Sequence, residues 1–296
     1  MSLVRVVAGS VSLVPVADTT LFQPDPDHNL GAVDSLAVGG TATGALARSL
    51  IRFDLTSQVP SGARIVSVRL SFHVVKIPTS GGVPSDFELR RLLKPWNEGS
   101  KAGGPRGTAA EAGETTWNSI AHGSIRWSQP GAGSGLDFAS APSGSVRVSG
   151  FGAYTFDSSP SLVSEVQAWT GNPANNHGWM MISRSERTPE TARRIGAREA
   201  GAMASILTVE FVDEAVAAPL KIERIERVGD QFQVGFQTRS NHSYSLEFQQ
   251  NTGSGSWLPF AQFPSLPYST NRLVIGPAQD GQRFFRLREE QASTAR

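Results

Sequence analysis

The chain has 296 residues, of which 18% are charged, and a formal net charge of +1, so no global field points to nucleic acid or an anionic membrane as a partner. Cysteine is absent, which excludes a disulfide scaffold, Cys-ligated zinc, iron–sulfur clusters and a thiol nucleophile. The 30 glycines and 18 prolines follow no period and suit many turns between short strands.

The opening MSLVRVVAGSVSLVPVA has one arginine and only short apolar runs, a poor match to a signal peptide. For an exported protein, the leader is expected to precede this numbering. No apolar run approaches the roughly 20 residues of a membrane-spanning helix. Residues 4–7 and 11–16 are rich in valine. Such segments pair within their own sheet or add to the sheet edge of a neighbouring subunit.

Further along, Val68, Leu70, Phe72 and Val74 alternate with Ser67, Arg69, Ser71 and His73. Leu50, Arg52 and Asp54 alternate in the same way with Ile51, Phe53 and Leu55. Each pattern predicts a strand with one face on a core. Leu162, Val163, Val166 and Trp169 recur at helical spacing, with Ser159 and Pro160 placed as N-cap and first helical residue. Residues 188–201 lack an apolar stripe and read as a loop. Alternation stops after residue 212, and residues 213–219, small and ending in proline, read as a linker. Beyond it, Phe232, Val234 and Phe236 share one face, and Tyr244, Leu246, Phe248, Phe285 and Leu287 continue the pattern. The expectation is an all-β protein: a β-sandwich over residues 1–212, then a smaller Ig-like or fibronectin-like β-sandwich over residues 220–296.

Several short motifs recur together in the first part. They are Ala17-Asp18-Thr19, Asn29-Leu30-Gly31, Leu36-Ala37-Val38-Gly39 and Arg52-Phe53-Asp54-Leu55, followed by Trp96-Asn97-Glu98 and Thr116-Trp117-Asn118. Val166-Gln167-Ala168-Trp169 and Asn175-Asn176-His177-Gly178-Trp179 close the set. In this combination, residues 10–212 resemble the DNRLRE family, secreted modules related to alginate-type carbohydrate-binding modules. The resemblance implies a jelly-roll β-sandwich, an extracellular or cell-surface location and polysaccharide binding. Tyr244–Glu247, Trp257 and Arg283–Arg288 are similar to small C-terminal β modules of secreted proteins from Verrucomicrobia and related bacteria.

Asp18, Asp25, Asp27, Asn29 and Asp34 offer the oxygen ligands that calcium prefers, although the same residues also make ordinary turns. A structural calcium ion is the one cofactor this pattern suggests, and none is required. The five histidines form no HxH or HxxxH pair. No GxSxG, HExxH or phosphate-binding loop is present, and no carboxylate pair is singled out, so no enzyme is expected. Sugar binding uses aromatic platforms with a few polar groups. Trp169 and Trp179 sit in apolar pattern and read as core, and Trp117 reads as scaffold. Trp96 and Trp127, flanked by Lys94, Asn97, Arg126 and Gln129, are the expected exposed platforms. Arg184, Arg187, Arg193 and Arg194 are the second binding candidate, because guanidinium forks fit the carboxylates of an acidic polysaccharide. A solvated loop and the outer face of a strand are the simpler explanation of that run.

The leading expectation is a secreted, non-catalytic module that binds polysaccharide or another surface polymer, with no nucleic acid and no membrane span. The alternative is a self-associating structural subunit of a filament, stalk or surface layer. The third is an accessory part of a polysaccharide-degrading system.

Overall fold

Alternating apolar and polar residues become strands almost wherever they run, in the computed structural model that describes residues 7–60, 62–213, 220–238, 242–250, 256–266, 270–277 and 283–290. The first strands are β1 (Val7–Leu13), β2 (Ala17–Phe22), β3 (His28–Asn29), β4 (Ser35–Gly40), β5 (Leu46–Arg52), β6 (Arg64–Lys76) and β7 (Ser85–Arg91). Then come β8 (Thr108–Ala109), β9 (Ser119–Ala121), β10 (Ile125–Arg126), β11 (Gly144–Val148) and β12 (Gly152–Phe156). Helix α1 (Pro160–Gly171) precedes β13 (Trp179–Ser183), β14 (Arg193–Gly196) and β15 (Ile206–Asp213). The remainder holds β16 (Ile222–Val228), β17 (Gln231–Thr238), β18 (Ser243–Gln249), β19 (Leu258–Phe263), β20 (Thr270–Pro277) and β21 (Phe284–Glu290). The all-β expectation holds.

The chain divides into two compact units. The larger takes Ser10–Leu55 and Ile65–Glu210, and the smaller takes the described residues of Met1–Gly9, Thr56–Arg64 and Phe211–Arg296. Of the expected linker, only Asp213 is described, at the end of β15; residues 214–219, like Val4, lie outside the described residues.

In the larger unit one sheet runs β1-β15-β6-β14-β4-β5-β13-β7-β11, with β12 also on β6 and β2 also on β5. It turns back on itself at β4. Leu36–Val38 pair with β14, whereas Gly39 and Gly40 pair with Ala47 and Leu46 of β5. Glycine is required at this corner: Gly39 has φ +112°, and a Cβ on Gly40 would stand 2.3 Å from the Glu186 carbonyl oxygen. The two halves then face each other as a sandwich. Phe72 of β6 stacks on Phe87 of β7 at 6.4 Å and packs against Phe156 at 5.5 Å. Val68, Leu70, Phe72 and Val74 are buried, as their alternation predicts.

Helix α1 closes one side. Ser159 Oγ accepts the Leu162 N–H, Pro160 stands in the first turn, and Leu162, Val166 and Trp169 are buried. Trp169 meets Trp179 edge-on at 4.6 Å. The stretch expected as a loop, residues 188–201, instead contains β14 and the start of a 3-10 turn, Arg198–Met203. A four-residue strand flanked by turns is too short to show a period.

Between β7 and β11 the chain leaves the sheet and folds over its outer face. The outward residues of β2, β5 and β13 (Ala17, Leu21, Leu50, Met180 and Ile182) are covered by Leu92, Trp96, Trp117, Ile120, Trp127 and Phe138 in one apolar cluster. Residues 92–143 therefore form a cap, and the sheet carrying β5 is buried on both faces.

In the smaller unit, two three-stranded sheets, β16-β17-β20 and β19-β18-β21, carry the last six strands. Phe232, Val234, Phe236 and Leu246 are buried between them. Phe232 meets Phe285 at 4.8 Å, and Phe236 meets Phe263 edge-on at 5.2 Å.

Candidate functional site

Trp96 and Trp127 are not exposed platforms: they are 6% and 4% exposed and belong to the core of the cap. Trp96 Nε1 donates to the His177 carbonyl at 2.8 Å, and the Arg52 guanidinium lies 5.5 Å from its ring centre. Trp127 Nε1 donates to the Thr116 carbonyl at 2.9 Å. Polar neighbours misled because, in turn-rich chain, they point outward while the indole between them turns in. An apolar hollow of about 370 Å³ lined by Trp96, Ile120 and Ile125 is what remains accessible there.

The five proposed calcium ligands are not brought together. Asp18, 1% exposed, accepts the Arg198 N–H at 2.8 Å. Asp25 holds Arg106 at 2.7 Å, Asp27 accepts from Asn118 Nδ2 at 3.0 Å, and Asp34 accepts from Ser35 Oγ at 3.2 Å. The Asn29 amide is saturated: it donates to the carbonyls of Glu98 and Thr115 and accepts from the N–H of Gly31 and Lys101. Among the described residues, no three His, Cys, Asp or Glu gather where a metal ion could be held. Asp18 is electrostatically unusual all the same. Burial pushes its carboxyl up to about 7, Glu199 and Glu98 add to the rise, and the Arg198 N–H and guanidinium oppose it. Glu98 is likewise raised, chiefly by burial.

The arginines separate into two kinds. Arg193 is 1% exposed, and its guanidinium donates to the carbonyls of Ser149, Val83, Glu190 and Ala192 at 2.6–3.1 Å. Arg194 donates to Ser35 and Pro105 carbonyls. Both therefore brace the fold, and burial lowers the affinity of each for its proton. Arg184 and Arg187 differ. They are exposed, and no hydrogen bond or ion pair of either side chain occurs among the described residues.

Arg184 and Arg187 line a groove of about 630 Å³ at the edge of the cap. One wall is the turn after β13, residues 184–188. The other is the last part of the cap, which contributes Ser134, Phe138 and Ser140. Arg48 of β5 with Glu88 and Arg90 of β7 complete the lining. Register places these on the outer face of the sheet, since Met180 lies opposite Leu50 on one side and Arg90 on the other. Arg48 forks onto Glu186 at 2.6 and 2.9 Å, and Arg90 forks onto Glu88. Four guanidiniums thus stand against two carboxylates, and the two that pair with none of the described residues, Arg184 and Arg187, are exposed. The arrangement can take carboxylate or sulfate groups in two-pronged hydrogen bonds, with serine and threonine hydroxyls beside them.

Arg48 and Arg90 escape a reading of the sequence, because alternation assigns them to a wet strand face. The one signal for them was indirect: a tryptophan-rich excursion needs a surface to cover, and β5 and β7 offer one. Comparison of the chain with protein-family models and with curated proteins finds no match in either.

Proposed function

We propose that this protein is a secreted, non-catalytic module that binds an acidic polysaccharide or similar surface polymer along the groove of Arg184 and Arg187. The observation that carries this reading is the pair of solvent-facing guanidiniums, without a side-chain partner among the described residues, in a groove where positive charge is in excess. A non-catalytic role is favoured because both groove carboxylates, Glu88 and Glu186, are already engaged by arginine forks. The resemblance of residues 10–212 to the DNRLRE family points the same way.

Affinity electrophoresis in gels containing a polyuronate, a sulfated glycan or a neutral glucan tests the reading. The wild type is expected to be retarded by the anionic polymers. Loss of charge-assisted hydrogen bonds in Arg184→Ala/Arg187→Ala should weaken binding by about 10–100-fold, with an unchanged melting temperature. Wild-type protein that migrates freely in every gel would overturn the reading.

A second reading, self-association by strand addition, draws on the smaller unit. There Leu273 and Ile275 are 55% and 52% exposed on β20, which ends its three-stranded sheet. Sedimentation velocity of wild type and Leu273→Lys/Ile275→Lys decides it, and a concentration-independent monomer in both removes it.

A further inference from the structure

The two walls of the groove come from chain segments about fifty residues apart, and one guanidinium holds both. Arg48 Nε and Nη2 donate to the Glu186 carboxylate on the turn, while Nη1 donates to the Gly131 and Ala132 carbonyls of the cap at 2.7 and 3.1 Å. Trp117 and Phe138 flank the same guanidinium, with ring centres at 5.7 and 5.9 Å. Both partners of the Arg48–Glu186 pair are largely shielded from water, where charge-assisted bonds are stronger. Arg90 ties only its own strand to the cap: it grips Glu88 of β7 and donates to the Ser140 carbonyl.

Four of the five N–H groups of Arg48 are thereby engaged. It has little left to offer a ligand. What it determines is how far the turn stands from the cap, and so where Arg184 and Arg187 lie relative to Ser134 and Ser140. The backbone of the turn is tied separately, by Thr188 N–H to the Ser185 carbonyl and by Thr191 Oγ1 to the carbonyls of Ser185 and Thr188. The Glu186 side chain is the turn's link toward the cap.

We infer that Glu186, acting through Arg48, is a positioning residue that sets the width of the groove. The inference rests on the polymer-binding reading above, and its test separates the two. Simple electrostatics and positioning make opposite predictions for Glu186→Gln. Removing a carboxylate makes the groove more positive, so attraction alone would tighten binding to an anionic polymer. Loss of the fork instead lets the turn drift, and binding should weaken by about tenfold. Arg48→Lys keeps the charge, loses the fork and should weaken binding similarly.

The experiment measures polyuronate affinity at two ionic strengths for wild type, Glu186→Gln and Arg48→Lys, with amide hydrogen exchange in free protein alongside. The expected result is weaker binding in both variants with an unaltered salt slope. Faster exchange is expected at Glu186, Thr188 and Ala132, while β5 and β13 stay protected. Equal or tighter binding by Glu186→Gln, or exchange at those amides matching the wild type, would overturn the inference. If the wild type binds no polymer, the functional reading falls, and hydrogen exchange still decides whether Glu186 positions the turn.

Discussion

The two faces of the sheet that carries β5 and β13 are both buried, but by different chemistry. Toward the sandwich interior, Ile51, Phe53, Trp179 and Met181 meet other apolar groups. Toward the cap, Leu50 and Met180 share the face with Arg48, Arg52 and Arg90, whose guanidiniums lie over aromatic rings or reach cap carbonyls. The inner layer is mainly apolar, with its few polar groups paired, as Trp179 Nε1 is with Glu165. The outer layer is stapled by arginine, because a face built for solvent can be covered only if its charges receive partners. A cap attached in this way leaves polar and cationic groups at its margin, and the groove is found at that margin.

The largest expected effect tests the inner layer. Phe72→Ala should cost about 3–5 kcal/mol of global stability, since an aromatic side chain leaves a cavity in a packed core. Urea unfolding should shift as a single transition, and a loss below 1 kcal/mol would break the comparison. Trp127→Ala should remove roughly 3 kcal/mol, felt mainly in the cap. Hydrogen exchange should accelerate across residues 92–143 while β6 and β13 remain protected; uniform acceleration of the whole unit would show that the two layers are one cooperative core.

A smaller effect comes from the buried carboxylate at the edge of these layers. The Asp18 carboxyl is raised from 3.8 to about 7, so the folded state holds its proton more tightly than the unfolded chain does. Its favourable contribution is complete below about 3.8, declines as pH rises and is gone above about 7. Asp18→Asn, which needs no proton, should therefore stabilise the protein at pH 8 by on the order of 2 kcal/mol relative to its effect at pH 4. Equal effects at both pH values, read from melting curves, would remove Asp18 as the cause. The smallest effect is calcium removal. Because the five acidic and amide groups are engaged separately, a chelator should leave the melting temperature within about 1 °C, and a larger drop would reveal a site assembled from other oxygens.

The sandwich core was legible because its signal is local. Val68 to Val74 and Phe232 to Phe236 repeat every second residue, and Ser159-Pro160 announces α1. The cap was not legible, since residues 92–143 are rich in turns and their tryptophans have polar neighbours in sequence while their partners, Leu50 and Met180, are far along the chain. Among the arginines, the sequence does not separate Arg184 and Arg187, which are exposed, from Arg193 and Arg194, which brace the fold. Arg187 and Arg193 look alike in sequence, and only folding brings the carbonyls of Val83 and Ser149 around Arg193. The acidic segment is ambiguous for a related reason. Asp and Asn supply the same oxygen atoms to a metal and to a turn, and distant partners such as Arg106 and Arg198 decide between the two.

The corner at Gly39 and Gly40 has a consequence for anyone wishing to transplant the groove. The Glu186 carbonyl rests where a side chain at position 40 would begin, so the turn bearing the two exposed arginines sits directly on the bend between the half-sheets. A recipient scaffold would need that glycine pair as well as the visible loop. Without it, the transferred segment would be lifted off its seat by the width of a methyl group, and its cationic pair would arrive pointing elsewhere.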